Sequence, residues 1–245
     1  MSNKWGVAQN SDALILYFHG GGYALGCVET YDNQSRWMAE KTGQRVVSVN
    51  YRRVPEHVFP APVEDALAAF DMIVSSGLAT PERIVLSGDS AGGCLCLVTA
   101  LYAANKQEVP ARVVSLYPAT DMTVPNREAP LSGSMKEFAK GLYLDASEML
   151  WYCENYLPDE STRSDWRASV INAPDLGGLP PTWIISARVD VLYDQQCVFV
   201  SRLEAAGVDT VHQVHSGVVH NFMEHVRFSP SARKAAKDIV QALTL

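Results

Sequence analysis

The sequence predicts an α/β fold: a mostly parallel, doubly wound sheet of about six strands with helices on both faces. Three observations predict it. Six short runs rich in Val, Ile and Leu recur along 245 residues, segments of helical spacing alternate with them, and a glycine-rich turn carrying a serine joins one run to one such segment. Strands alternating with helices are the signature of βαβ units, in which both faces of the sheet are covered and the strands are apolar on both sides. The expected strands are residues 13–18, 45–50, 83–87, 112–117, 182–186 and 210–215. Apolar residues three and four apart place helices over 63–76, 91–105, 192–206 and 231–243, and Gly77 and Gly207 follow two of them where a C′ glycine belongs. About 60 residues separate the fourth strand from the fifth, far more than an ordinary crossover needs. A helical pattern at 146–156 sits in that excursion, and residues 120–179 are expected to form a partial cap or pocket wall inserted into a single domain spanning 1–245.

Composition narrows the function. The chain carries 27 acidic and 20 basic residues, a net charge of −7, with 47% hydrophobic and 19% charged residues, so a well-packed globular domain is expected. The acidic balance argues against nucleic acid and against a polybasic membrane surface as partners. The longest apolar runs are strand-sized, far short of the roughly 20 residues of a membrane span. Met1 to Gly6 show no apolar core with a cleavage site, and the expected location is the cytoplasm. Cys27, Cys94, Cys96, Cys153 and Cys197 form no C-x-x-C pair and read as reduced thiols.

Gly88-Asp89-Ser90-Ala91-Gly92-Gly93 follows the third strand and opens a helix. A serine on so sharp a turn is lifted above the sheet edge, and the helix N-terminus beneath it offers unpaired N–H groups and a partial positive charge. Ser90 is the expected nucleophile and the Ala91 N–H one oxyanion donor. Asp89, its neighbour, is expected to point away and play a supporting part. His19-Gly20-Gly21-Gly22 comes directly after the first strand. It lacks the Lys-Ser/Thr ending of a phosphate loop and the spacing of a dinucleotide fold. Beside Ser90 it supplies the other donors, the N–H groups of Gly21 and Gly22, with His19 and Gly20 ordering the loop.

With a serine on such a turn, the acid and the base follow in chain order after the last two strands. Asp190 stands at the end of the fifth and is preferred to Asp194, which reads as a first-turn helix residue. Of His212, His215, His220 and His225, the first two fall in or at the end of the strand itself, and His220, in the loop beyond it, can reach back over the sheet edge and is preferred. The histidines show no metal-ligand spacing, so neither a metal nor a cofactor is called for. In this chemistry His220 takes the Ser90 proton while Asp190 holds the imidazole's tautomer.

These pieces, together with Asn50-Tyr51-Arg52, Pro55-Glu56-His57, Val63-Glu64-Asp65-Ala66, Tyr117-Pro118, Leu179-Pro180-Pro181, Asp190-Val191-Leu192-Tyr193-Asp194 and His220-Asn221-Phe222, resemble the hormone-sensitive-lipase-like bacterial carboxylesterases of the α/β-hydrolase superfamily. The match runs in family order from about Asp12. The resemblance implies a serine carboxylesterase acting on short-to-medium acyl or aryl esters of small molecules, with the triad on Ser90, Asp190 and His220. An amidase or deacetylase on the same residues, or a weakly catalytic binding protein, would share these parts. Relatives usually carry a helical cap segment and two strands before the H-G-G-G strand, where this chain has about a dozen residues. The cap is therefore expected to be reduced, the site open to bulky ester groups and weak for short acyl chains, and a sheet edge exposed beside residues 13–18. The edge near 210–215 is where a homodimer is expected.

Overall fold

The computed structural model describes residues 12–123 and 130–245. The expectation drawn from Met1 to Gly6 lies outside these residues. Six strands form one parallel sheet: β1 (Leu14–Phe18), β2 (Arg45–Val49), β3 (Ile84–Asp89), β4 (Arg112–Leu116), β5 (Thr182–Val189) and β6 (Thr210–Val219), in the order β2-β1-β3-β4-β5-β6. Alternate side chains of the inner strands enter two different cores. Leu14, Leu16 and Phe18 of β1 pack on one side with Ile84 and Leu86, and Ile15 and Tyr17 pack on the other with Val85 and Val114. Helices α2 (Ala61–Ser75), α3 (Ala91–Asn105) and α6 (Tyr193–Ala205) cover the first face, and α1 (Asp32–Thr42) and α7 (Pro230–Leu243) the second. Burial on both faces is why the strands read as continuous apolar runs.

Two expectations are corrected. The sheet edge lies at β2, not beside residues 13–18: β1 is fully buried and pairs with β2 on one side and β3 on the other, while every residue of β2 is only partly buried. Chain order alone does not say which neighbour of a strand takes the outer place, and here the chain returns from β2 across β1. The helix α1 was not expected, because its apolar stripe is thin and Met38 is its only fully buried residue. The last two strands also run further than their apolar cores suggested, to Val189 and Val219, and that extension matters for the site.

Between β4 and β5 lie α4 (Gly133–Glu137), α5 (Ala146–Tyr156) and short 3₁₀ turns. Asp145 and Glu148 cap α5 reciprocally, each side chain accepting the other's backbone N–H. This segment is joined to the body by buried contacts: Tyr156 stacks on Tyr23 at 3.8 Å, and Cys153, Tyr156 and Leu157 enter the core. Among the described residues no helix is long and apolar enough to cross a membrane. All five cysteines are free thiols.

Candidate active site

Strand register brings the site together. Phe18 lies opposite Gly88, so the His19–Gly22 loop leaves the sheet beside Asp89 and Ser90. Val189 lies opposite Val219, so Asp190 and His220 step off β5 and β6 as neighbours. Ser90 occupies φ 54°, ψ −117°, a conformation that L-residues adopt only under constraint. The constraint is visible: the Ser90 N–H donates to Leu116 O at 2.9 Å, and Ser90 O accepts from the N–H groups of Cys94 and Ala119. The motif's glycines are required here because α3 sits hard against the sheet. A Cβ at Gly92 would collide with the carbonyl of Phe18, and one at Gly88 with the carbonyl of Gly92.

His220 Nε2 lies 3.0 Å from Ser90 Oγ, and His220 Nδ1 lies 2.7 Å from Asp190 Oδ2. Asp190 is buried, and its other oxygen accepts the Leu192 N–H at 2.9 Å. Both ends of the imidazole are thus fixed, with Nδ1 facing a carboxylate and Nε2 facing the hydroxyl. Tyr117 meets the His220 ring edge-on at 5.0 Å and donates its hydroxyl to Asn221 Oδ1, which steadies the loop from beneath. The other histidines are placed elsewhere. His212 Nε2 meets Ser186 Oγ at 2.9 Å, His215 faces Asp238 at 3.8 Å, and His225 lies edge-on to Tyr143. Asp194 stands in the first turn of α6 and accepts the Ser134 N–H at 2.8 Å, tying α4 to that helix.

The glycine loop is braced from both sides. His19 Nδ1 lies 2.7 Å from Gly20 O, and its ring stacks on Tyr51, whose hydroxyl donates to His19 O at 2.7 Å. Burial above all holds the His19 imidazole below its usual range, which keeps it neutral. Asp89 points away from Ser90 and under the loop, accepting the Gly20 N–H at 2.8 Å and the hydroxyls of Tyr17 and Tyr31. Sequence reasoning assigned Asp89 a supporting part but missed Tyr17 and Tyr31. The available signal for Tyr17 was a hydroxyl-bearing residue inside an otherwise wholly apolar strand.

Burial pushes the Asp89 carboxyl up to about 6, against the hydrogen bonds that favour its charged form. Between the ordinary carboxylate range and pH 6 the folded chain therefore holds a proton that the unfolded chain has lost. The stability this contributes is present in acid and is lost as pH rises through about 6. Urea unfolding of the wild type and Asp89→Asn at pH 4 and pH 7 should show the wild type losing up to about 3 kcal/mol relative to the variant over that interval. A pH-independent difference would rule out the buried carboxylate as the titrating group.

Ser90, half-buried, lies between two hollows. The larger, about 430 Å³, is lined by Gly21, Gly22, Tyr31, Tyr143, Glu224 and His220 among others. The smaller, about 20 Å³, lies behind the serine against Tyr23, Ala91, Ala119, Met122, Met149 and Tyr152. The arrangement can present a serine oxygen, its proton acceptor and a glycine-lined turn to one carbonyl group.

A family model described as alpha/beta hydrolase fold matches residues 15–224. The chain is an α/β-hydrolase. Within that family it belongs with the hormone-sensitive-lipase-like esterases: an esterase from the bacterial hormone-sensitive lipase family is 30% identical with a TM-score of 0.87, over 98% of this chain and 78% of that one. A hyperthermophilic esterase from the archaeon Pyrobaculum calidifontis is 34% identical with a TM-score of 0.86, over 94% and 76%. Ethyl acetate hydrolase of Pseudomonas putida is 30% identical over 94% of this hydrolase and 72% of the relative. Carboxylic ester hydrolase LipN of Mycobacterium tuberculosis is 32% identical over 94% and 62%. The hydrolase thus spans roughly two thirds of the curated relatives it matches.

Proposed function

We propose that this hydrolase is a serine carboxylesterase acting on esters with a short acyl group. The observation that carries the reading is the unbroken line from Ser90 Oγ through His220 to Asp190, with hydrogen-bond distances of 3.0 and 2.7 Å. Ser90 Oγ forms a bond to the ester carbonyl carbon while its proton passes to His220 Nε2. Asp190 fixes the imidazole's tautomer and stabilises its protonated form. The tetrahedral oxyanion is held by the N–H groups of Gly21, Gly22 and Ala91. Breaking the carbon–oxygen bond releases the alcohol, which takes the proton from His220. Water, deprotonated by His220, then cleaves the acyl-enzyme and restores Ser90. No cofactor or metal enters the cycle.

The two hollows supply a division of the substrate. The alcohol must receive its proton from His220, which lines the large hollow and not the small one, so the alcohol departs through the large hollow. The acyl group takes the small hollow, whose volume of about 20 Å³ is little more than that of one ordered water. Met122 and Met149, which line it, are flexible enough to admit another carbon or two. The openness expected of a reduced cap thus belongs to the alcohol side. The weak fit expected for short acyl chains gives way here to a preference for them, because the small hollow leaves no room for long ones.

Hydrolysis of p-nitrophenyl esters from acetate to palmitate tests this. Turnover should be fastest at acetate to butyrate and fall steeply beyond. A maximum at ten carbons or more would refute the acyl assignment. Folded protein inert on the whole series, yet active on an anilide, would move the reading to an amidase.

A further inference from the structure

Resting on the esterase reading, we propose that the alcohol-side hollow selects esters whose alcohol carries a positive charge, such as a quaternary ammonium alcohol. Two carboxylates from separate elements line it. Glu148 stands in the first turn of α5, and Glu224 stands in the turn after β6. Three tyrosine rings, Tyr31, Tyr143 and Tyr152, complete the walls, and Asp89 lies at the floor. Among the described residues lining the hollow none is lysine or arginine. Aromatic faces with carboxylates and no competing cation are what a poorly hydrated organic cation requires.

The carboxylates are held in place. Glu224 accepts the Asn221 amide at 2.9 Å and the Tyr143 hydroxyl at 2.8 Å, so both oxygens are bound by neutral donors that leave the charge intact. Asn221 donates a second time, to the Tyr143 oxygen at 2.8 Å, which closes a triangle at the mouth. Partial burial first, and then the hydrogen bond to the Glu224 carboxylate, push the Tyr143 hydroxyl up to about 12. Glu148 gives one oxygen to the Asp145 N–H and keeps the other available. A second hollow, about 640 Å³, begins at the same Tyr31 and Glu224 and runs on to Trp37 and Met223. It carries Arg227, so the preference for cations belongs to the inner hollow, and the outer one gives room for the rest of a large alcohol.

The test compares acetylcholine with 3,3-dimethylbutyl acetate, in which carbon replaces nitrogen, by titrating the acetate released. The wild type should favour the cationic ester in kcat/KM by about tenfold, less at high salt. Glu224→Gln and Glu148→Gln keep a hydrogen-bond acceptor while removing charge, and together they should bring the ratio close to one. A wild-type ratio of one or below, with both esters turned over, would overturn the proposal and leave the esterase reading standing. Protein inert on both esters and on the p-nitrophenyl series would sink the esterase reading, and calorimetric titration with choline against 3,3-dimethylbutanol still reads the hollow. Equal binding of those two alcohols would overturn the cation preference by itself.

Discussion

Ser90→Ala is expected to lower kcat on p-nitrophenyl acetate by at least about 10⁴-fold while the protein stays folded. On the free-energy scale that is about 5.5 kcal/mol of barrier. The variant removes one atom. Alanine keeps the Cβ that already fits the φ 54° turn, and the backbone bonds from Ser90 to Leu116, Cys94 and Ala119 are untouched. What disappears is the oxygen 3.0 Å from His220 Nε2. Steady-state kinetics alongside near-ultraviolet circular dichroism checks both halves. Residual activity within tenfold of the wild type, in a folded variant, would mean that another group attacks the ester.

Gly21→Ala should cost about 10² to 10³ in kcat with a smaller change in KM, because it acts on the donors that meet charge only in the transition state. Gly21 has a φ of 106°, and a Cβ there would collide with the carbonyl of Leu25. The turn it belongs to is closed by the N–H groups of Ala24 and Leu25, both donating to Gly21 O, so the collision forces the whole turn open. Gly43→Ala is the control. Gly43 also has a positive φ, 70°, but a Cβ there would meet nothing within 4 Å, so it should cost about 1 kcal/mol of stability and leave kcat unchanged. Equal losses of activity in the two variants would show that strain, not placement of the loop, is being measured.

How much of this was legible beforehand depended on how local the cause was. The inner strands announced themselves because both of their faces are buried, and α3 because its glycines and its serine share one short motif. Asp190 and His220 followed from chain order, since each directly follows a strand. The helix α1 was invisible because one buried methionine makes too narrow a stripe to count. The edge of the sheet was misplaced because strand order depends on which side of β1 the chain returns to, and no residue pattern within β1 records that. The tyrosines that hold Asp89 were missed for the same reason. They reach it from 72 and 58 residues away, so only the folded register makes them neighbours. Glu224, by contrast, lies four residues past His220, and its meaning appeared only when Glu148 of α5 joined it in lining the same hollow.

The contact between α5 and the glycine loop reaches further than packing. Tyr23 closes that loop and stacks on Tyr156, while Tyr152 of the same helix lies so close to Gly22 that a methyl group there would overlap its ring. The wall of the small hollow and the glycine turn are therefore packed together as one piece, and in the proposed mechanism these are the acyl wall and the oxyanion turn. Enlarging the small hollow by substitutions in α5 moves the donors as well, so a broader substrate range comes coupled to slower chemistry. The alcohol side is tied to the chemistry too: Glu224 and Tyr143 are fastened to Asn221 beside His220 and to each other, and Tyr152 of α5 lines that hollow as well.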